Sequence, residues 1–145
     1  MKVLTIEEAR TIYKGATICE GATIYKGAII YEGATICKGA IICEGATICE
    51  GAMIYEGATI CKGAVICEGA IIKKSEHHIV VGALGNTKNI TAVICDKKGL
   101  VIKIGYFEGN LKQAREIIAK KYKDEKHPYY AAIDLVESWY NWESK

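Results

Sequence analysis

The chain has 145 residues, 50% of them hydrophobic and 25% charged, with a formal net charge of +2. That length suits one compact domain or two small ones, and the balance of apolar and charged side chains excludes a disordered chain. No apolar run approaches the ~20 residues of a membrane-spanning helix, and Glu7, Glu8 and Arg10 stand where a secretory leader would be apolar, so a cytoplasmic protein with no membrane partner is expected.

Residues 2–10 contain Thr5-Ile6, the opening of a phrase that recurs downstream, but Glu7 and Glu8 follow and no glycine appears. They are expected to form a degenerate first repeat that caps a coil end, where an exposed strand edge would otherwise invite stacking. From residue 11 to residue 70 one six-residue phrase then runs ten times without insertion or deletion: TIYKGA, TICEGA, TIYKGA, IIYEGA, TICKGA, IICEGA, TICEGA, MIYEGA, TICKGA, VICEGA. A short fixed period of this kind marks a solenoid, and a six-residue period marks a parallel β-helix. Side chains alternate along each short strand, so Ala16 and Ile18 share the inward face while Thr17 and Cys19 face out. Glycine at every sixth position and β-branched residues throughout exclude a helix.

A longer regularity sets the size of a coil. Cys19 and Cys37, Cys43 and Cys61, and Cys49 and Cys67 lie 18 residues apart, as do Tyr13 and Tyr31. Corner charges alternate at the same interval in Glu20, Lys38, Glu56 and in Lys26, Glu44, Lys62, while the third edge, Lys14, Glu32, Glu50, Glu68, breaks the rule. If three phrases close one coil, residues 18 apart stack at about 4.8 Å, where opposite charges attract and like charges repel. The expected shape is a triangular prism of a little over three coils. Seven cysteines, six of them at fixed repeat positions, argue for reduced packing thiols and against a secreted disulfide framework.

The repeat, Ile then two residues then Gly-Ala (Ile18, Gly21-Ala22; Ile36, Gly39-Ala40), resembles the left-handed β-helix of hexapeptide-repeat proteins over roughly residues 5–75. That resemblance implies the left hand; the period does not. Acyl transfer, common in that family, uses a histidine near the coils and a projecting loop. The ten phrases contain neither, so the activity is not expected to carry over. No enzymatic function and no cofactor are expected.

The phrase is lost after residue 70, and a boundary near residue 76 divides a β-helix (1–76) from a small α+β unit (77–145). The first part carries a net charge of −1 and the second +3, too little for a DNA or RNA surface. Three antiparallel strands are predicted over residues 79–81, 90–95 and 100–104, with a turn at Asp96-Lys97-Lys98-Gly99. Asn110 N-caps a helix carrying Leu111, Ala114, Arg115, Ile118 and Tyr122 on one side. Pro128 opens a second, with Ala132, Ile133, Val136, Trp139 and Tyr140 as its stripe.

Within this unit Gly99, Gly105, Phe107, Gly109 and Leu111, behind the Gly82-Ala83-Leu84-Gly85 loop, form a pattern in which a glycine-flanked strand end feeds a helix. Over residues 79–142 it resembles a small phage domain, the first Thoeris anti-defence family, whose members hold cyclic ADP-ribose-type signals without cleaving them. Thr87 and Tyr106 depart from that family's pattern, which has Arg and Cys there; Lys88 adjoins Thr87.

A nucleotide-type ligand needs an aromatic plate, cations for phosphate and amides to read the base or ribose. Tyr106 and Phe107 at the strand end, Asn86, Lys88 and Asn89 in the preceding loop, Asn110 at a helix N-terminus, and Arg115 supply those types. The resemblance therefore implies a sponge that sequesters a cyclic ADP-ribose-type or cyclic-oligonucleotide signal. The alternatives are an assembly protein built on the β-helix and an acyltransferase. His77, His78 and His127 are not spaced as metal ligands, and no metal is expected. Outward Tyr, Cys, Ile and Thr leave apolar walls that need cover, so a homo-oligomer is expected, a trimer or a multiple of one.

Overall fold

In the computed structural model, which describes residues 2–82, 89–95 and 99–144, the repeat folds as a parallel β-solenoid. Its ten two-residue strands are β1 (Thr17–Ile18), β2 (Thr23–Ile24), β3 (Ile29–Ile30), β4 (Thr35–Ile36), β5 (Ile41–Ile42), β6 (Thr47–Ile48), β7 (Met53–Ile54), β8 (Thr59–Ile60), β9 (Val65–Ile66) and β10 (Ile71–Ile72). They form three walls, ordered β1-β4-β7-β10, β2-β5-β8 and β3-β6-β9, which is a little over three turns of a triangular coil. Register is 18 residues at every rung: Thr17 pairs with Thr35, Ile41 with Thr59, Ile48 with Ile66.

The phrase explains the geometry. From Ile18 onward the Ile at the second position of each phrase points inward, and each Ala fills the narrower space beside it. From Ala34 to Ile66 all of these are fully buried, and they form one continuous column. Every repeat glycine turns its corner at positive φ, between 72° and 100°, a region that costs any residue with a Cβ.

Two features differ from the sequence expectation at the ends of the tract. Residues 2–10 are not a degenerate rung, because Ile6–Ile12 is a helix, α1. Thr5 caps it through the Glu8 N–H, and the Glu8 carboxylate reaches back to the Thr5 N–H, so a capping box overrides the repeat signal. Those bonds, with help from Lys2, hold the Glu8 carboxyl below its usual range. The helix consumes Thr11 and Ile12 of the first phrase, and Ile12 is left exposed. At the other end Ile71–Ile72, beyond the last full phrase, is recruited as the tenth strand because β7 offers it a rung to pair with.

A 3-10 turn, Ser75–His77, leads to a four-stranded antiparallel meander: β11 (His78–Val81), β12 (Ile90–Cys95), β13 (Gly99–Ile104) and β14 (Phe107–Gly109). The fourth strand adds to the three expected; it forms because Ile102, Lys103 and Ile104 present a complete edge to Gly109, Glu108 and Phe107. Residues 96–98 of the turn expected over 96–99, and residues 83–88 of the loop expected after the first strand, lie outside the described residues. Helices α2 (Leu111–Lys121) and α3 (Pro128–Glu143) follow the sheet. The period-2 alternation of the sheet serves two cores at once. Val93, Cys95 and Val101 join the apolar column of the β-helix, while Ile90, Ala92, Leu100 and Ile102 pack against Ala114, Ile118, Ala132, Ile133 and Val136 of the helices. The sheet is thus a layer between coil and helices.

Candidate functional site

A solenoid has two ends whose backbone groups lack a next rung, and this chain caps both, largely with side chains. At the first, Arg10 donates to the Ile18 carbonyl through Nε and Nη2 (3.2 and 3.0 Å), the Leu4 N–H donates to the Ile24 carbonyl (2.9 Å), and the Tyr13 hydroxyl donates to the Ala28 carbonyl. Burial raises the Tyr13 pKa, which keeps that hydroxyl a donor. At the second end the unmet groups are N–H donors, and the caps are acceptors. Ser75 Oγ takes the Thr59 N–H (2.8 Å), His78 Nε2 the Cys61 N–H (3.1 Å), and Thr91 Oγ1 the Val65 N–H (3.2 Å). The sequence gives no periodic signal for these caps, since they lie outside the phrase.

The walls between those ends remain apolar. Ile29 and Tyr31 are about half exposed on one wall, and Tyr55 is exposed on another. Thr17, Cys19, Thr35 and Cys37 stack in register outside the inward Ile residues.

Of the seven residues expected to bind a ligand, five lie among the described residues. Asn86 and Lys88 lie outside the described residues. Asn110 spends its side chain on the α2 capping box, accepting from the Gln113 N–H at 2.9 Å. The Arg115 guanidinium is held by Asp134 at 2.9 Å and Glu137 at 2.8 Å. Burial works against its charge, but those two carboxylates outweigh it and raise its pKa. Phe107 pairs with Ile104 and packs on the sheet–helix core. Asn89 and Tyr106 do come together. They line a cleft of about 260 Å³ with Gly63, Val65, Thr91, Lys103 and Gly105, where a corner of the β-helix meets the sheet. Tyr106 is 99% exposed at the turn before β14, with Gly105 at φ 58° behind it. Lys103, which the sequence reasoning passed over, is the cleft's cation; it stands across from Glu108 in the β13–β14 register. Its alternation in β13 was the signal that could have found it.

Residues 15–50 match the bacterial transferase hexapeptide (six repeats) family. No curated protein and no solved structure matches the chain. The family match covers six of the phrases and agrees with the stacked rungs, so the hexapeptide-repeat β-helix is the established part of this protein.

Two of the three histidines have structural partners. His78 serves the coil end, and His127 Nδ1 accepts from the Tyr129 N–H while its ring stacks on Tyr122 at 3.8 Å. Burial raises the pKa of Cys37, Cys43 and Cys49, and neighbouring thiols or carboxylates push the same way, so these thiols stay protonated near neutral pH. Among the described residues no group of three His, Cys, Asp or Glu is placed to hold a metal ion. No helix among them is long and apolar enough to cross a membrane.

Proposed function

We propose that the protein is an assembly scaffold that gathers copies of itself side by side through the walls of its β-helix, as a trimer or a multiple of one. One observation carries the reading: both ends of the coil are closed by side-chain caps while the walls keep Ile29, Tyr31 and Tyr55 exposed. Closed ends prevent end-to-end growth into fibres, and apolar walls favour lateral contact, which a closed point group satisfies. The hexapeptide match supports the fold of the scaffold. Sedimentation of the full chain at micromolar concentration tests the idea. A discrete oligomer that Tyr31→Glu converts to monomer is expected; a monomeric wild type would overturn it.

A second reading, capture of a cyclic ADP-ribose-type or cyclic-oligonucleotide signal without cleavage, rests on the convergence of Asn89, Lys103 and Tyr106 at one cleft. At about 260 Å³ that cleft is small for a dinucleotide, and Arg115 lies outside its lining, held by two carboxylates. Calorimetry with a panel of cyclic nucleotides separates the readings. Heat that is lost in Lys103→Ala favours capture, and no heat with any of them leaves the scaffold alone. The matched family is one of bacterial transferases; for that activity, acetyl-coenzyme A binding between coils is the corresponding test.

A further inference from the structure

We propose that Cys67 and Cys95 form an oxidisable clasp that locks the C-terminal sheet onto the β-helix. Their Sγ atoms lie 3.7 Å apart. Both are buried, at 2% and 6% exposure, in the apolar cluster shared by the two parts of the chain. Cys67 follows β9, the last strand of its wall, and Cys95 ends β12, so a bond between them would staple coil to cap.

The other thiols are set differently. Cys19 and Cys37 stand one rung apart on in-register parallel strands, as do Cys43 and Cys61, and Cys49 stands so to Cys67 itself. Side chains stacked that way leave along parallel Cα–Cβ bonds, which opposes the torsion of about 90° that a disulfide requires. Cys95 reaches Cys67 from a separate sheet and is not bound by that constraint. Closure needs the sulfurs to approach from 3.7 Å to about 2.0 Å.

The reacting partner is a low-molecular-weight disulfide. One cysteine, as thiolate, attacks it and releases one small thiol, leaving a mixed disulfide. The second cysteine then attacks that bond, forming the Cys67–Cys95 bond and releasing the second small thiol. The two cysteines are oxidised by two electrons, the small disulfide is reduced by two, and the protons leave with the released thiols. Because both sulfurs are buried, exchange proceeds through transient opening of the coil–sheet contact, and closure of the bond then suppresses that opening. Residues 67 and 95 are 28 apart in sequence. Tying a loop of that size raises Tm by roughly 10 °C in a chain of this length.

The test uses the full chain incubated with oxidised glutathione, blocked with N-ethylmaleimide, digested and mapped by mass spectrometry. A linked Cys67–Cys95 peptide is expected, with a Tm higher by about 10 °C that dithiothreitol returns to its starting value and that Cys95→Ser does not show. Cys67 and Cys95 carrying maleimide or glutathione after oxidation would overturn the proposal. So would linkage confined to Cys19–Cys37 or Cys43–Cys61, or a Cys67–Cys95 bond that leaves Tm unmoved.

Discussion

Replacing His78 with Gln probes the end cap on which the scaffold reading depends. In the native chain the Cys61 N–H points at Nε2 from 3.1 Å, which requires that nitrogen to be the unprotonated acceptor. The proton therefore sits on Nδ1 and is donated to the Ser75 carbonyl at 2.7 Å. Burial lowers the His78 pKa below 6.5, partly offset by the bond to Ser75. The sign follows. Above pH 6.5 the ring is neutral both folded and unfolded, and stability does not depend on it. As pH falls below 6.5 the unfolded chain takes up the proton first, so stability declines until the lower folded-state pKa is passed. The steepest slope is about 1.4 kcal/mol per pH unit. The amide introduced by His78→Gln cannot titrate, and it reproduces the two bonds imperfectly. At pH 8 the variant should lose about 1–3 kcal/mol, the cost of disturbing buried hydrogen bonds, or about 3–10 °C in Tm. Thermal melts of both proteins from pH 8 to pH 5 read the difference directly, since residue 78 is the only one that differs between them. The gap should narrow on acidification. A gap of constant size across that range would refute the assigned roles of the two ring nitrogens.

Three further outcomes follow from the packing. Ile48→Ala removes a fully buried side chain from the middle rung and should destabilise by about 2–5 kcal/mol in a denaturant melt. Gly57 has φ 82° and nothing within 4 Å of where a Cβ would stand. Gly57→Ala therefore isolates the backbone cost, about 1–2 kcal/mol, whereas Gly63→Ala should cost more in the same assay, because its Cβ would meet Asn89 Nδ2 at 2.8 Å. Arg115→Gln breaks pairs whose members are between 37% and 69% exposed, so its effect on stability should stay below about 1 kcal/mol.

Whether the clasp closes bears on assembly as well. A sheet stapled to the last rungs cannot lift away from Cys61 and Val65, whose N–H groups it caps through His78 and Thr91. Oxidation would therefore hold the coil end shut and leave the lateral walls as the route for contact between copies.

The sequence by itself determined the coil. A phrase with one inward Ile, one inward Ala and one corner Gly has a single way to bury its apolar atoms, and the 18-residue recurrence of Cys and of corner charge states how many phrases close a turn. That information is local and repeated ten times, so chance competes poorly with it. The second part was legible only as elements, because each strand and helix there occurs once. Asn110 and Pro128 marked their helix starts correctly, since capping is decided within a few residues. What the tertiary structure decided is which face meets what. It turned Phe107 toward the sheet–helix core, handed Arg115 to Asp134 and Glu137, and brought Lys103 beside Asn89 and Tyr106. It also set His78, Ser75 and Thr91 against the last rung. Such partnerships join residues many positions apart with no shared period, and their energies depend on distance and burial, which only the folded chain supplies.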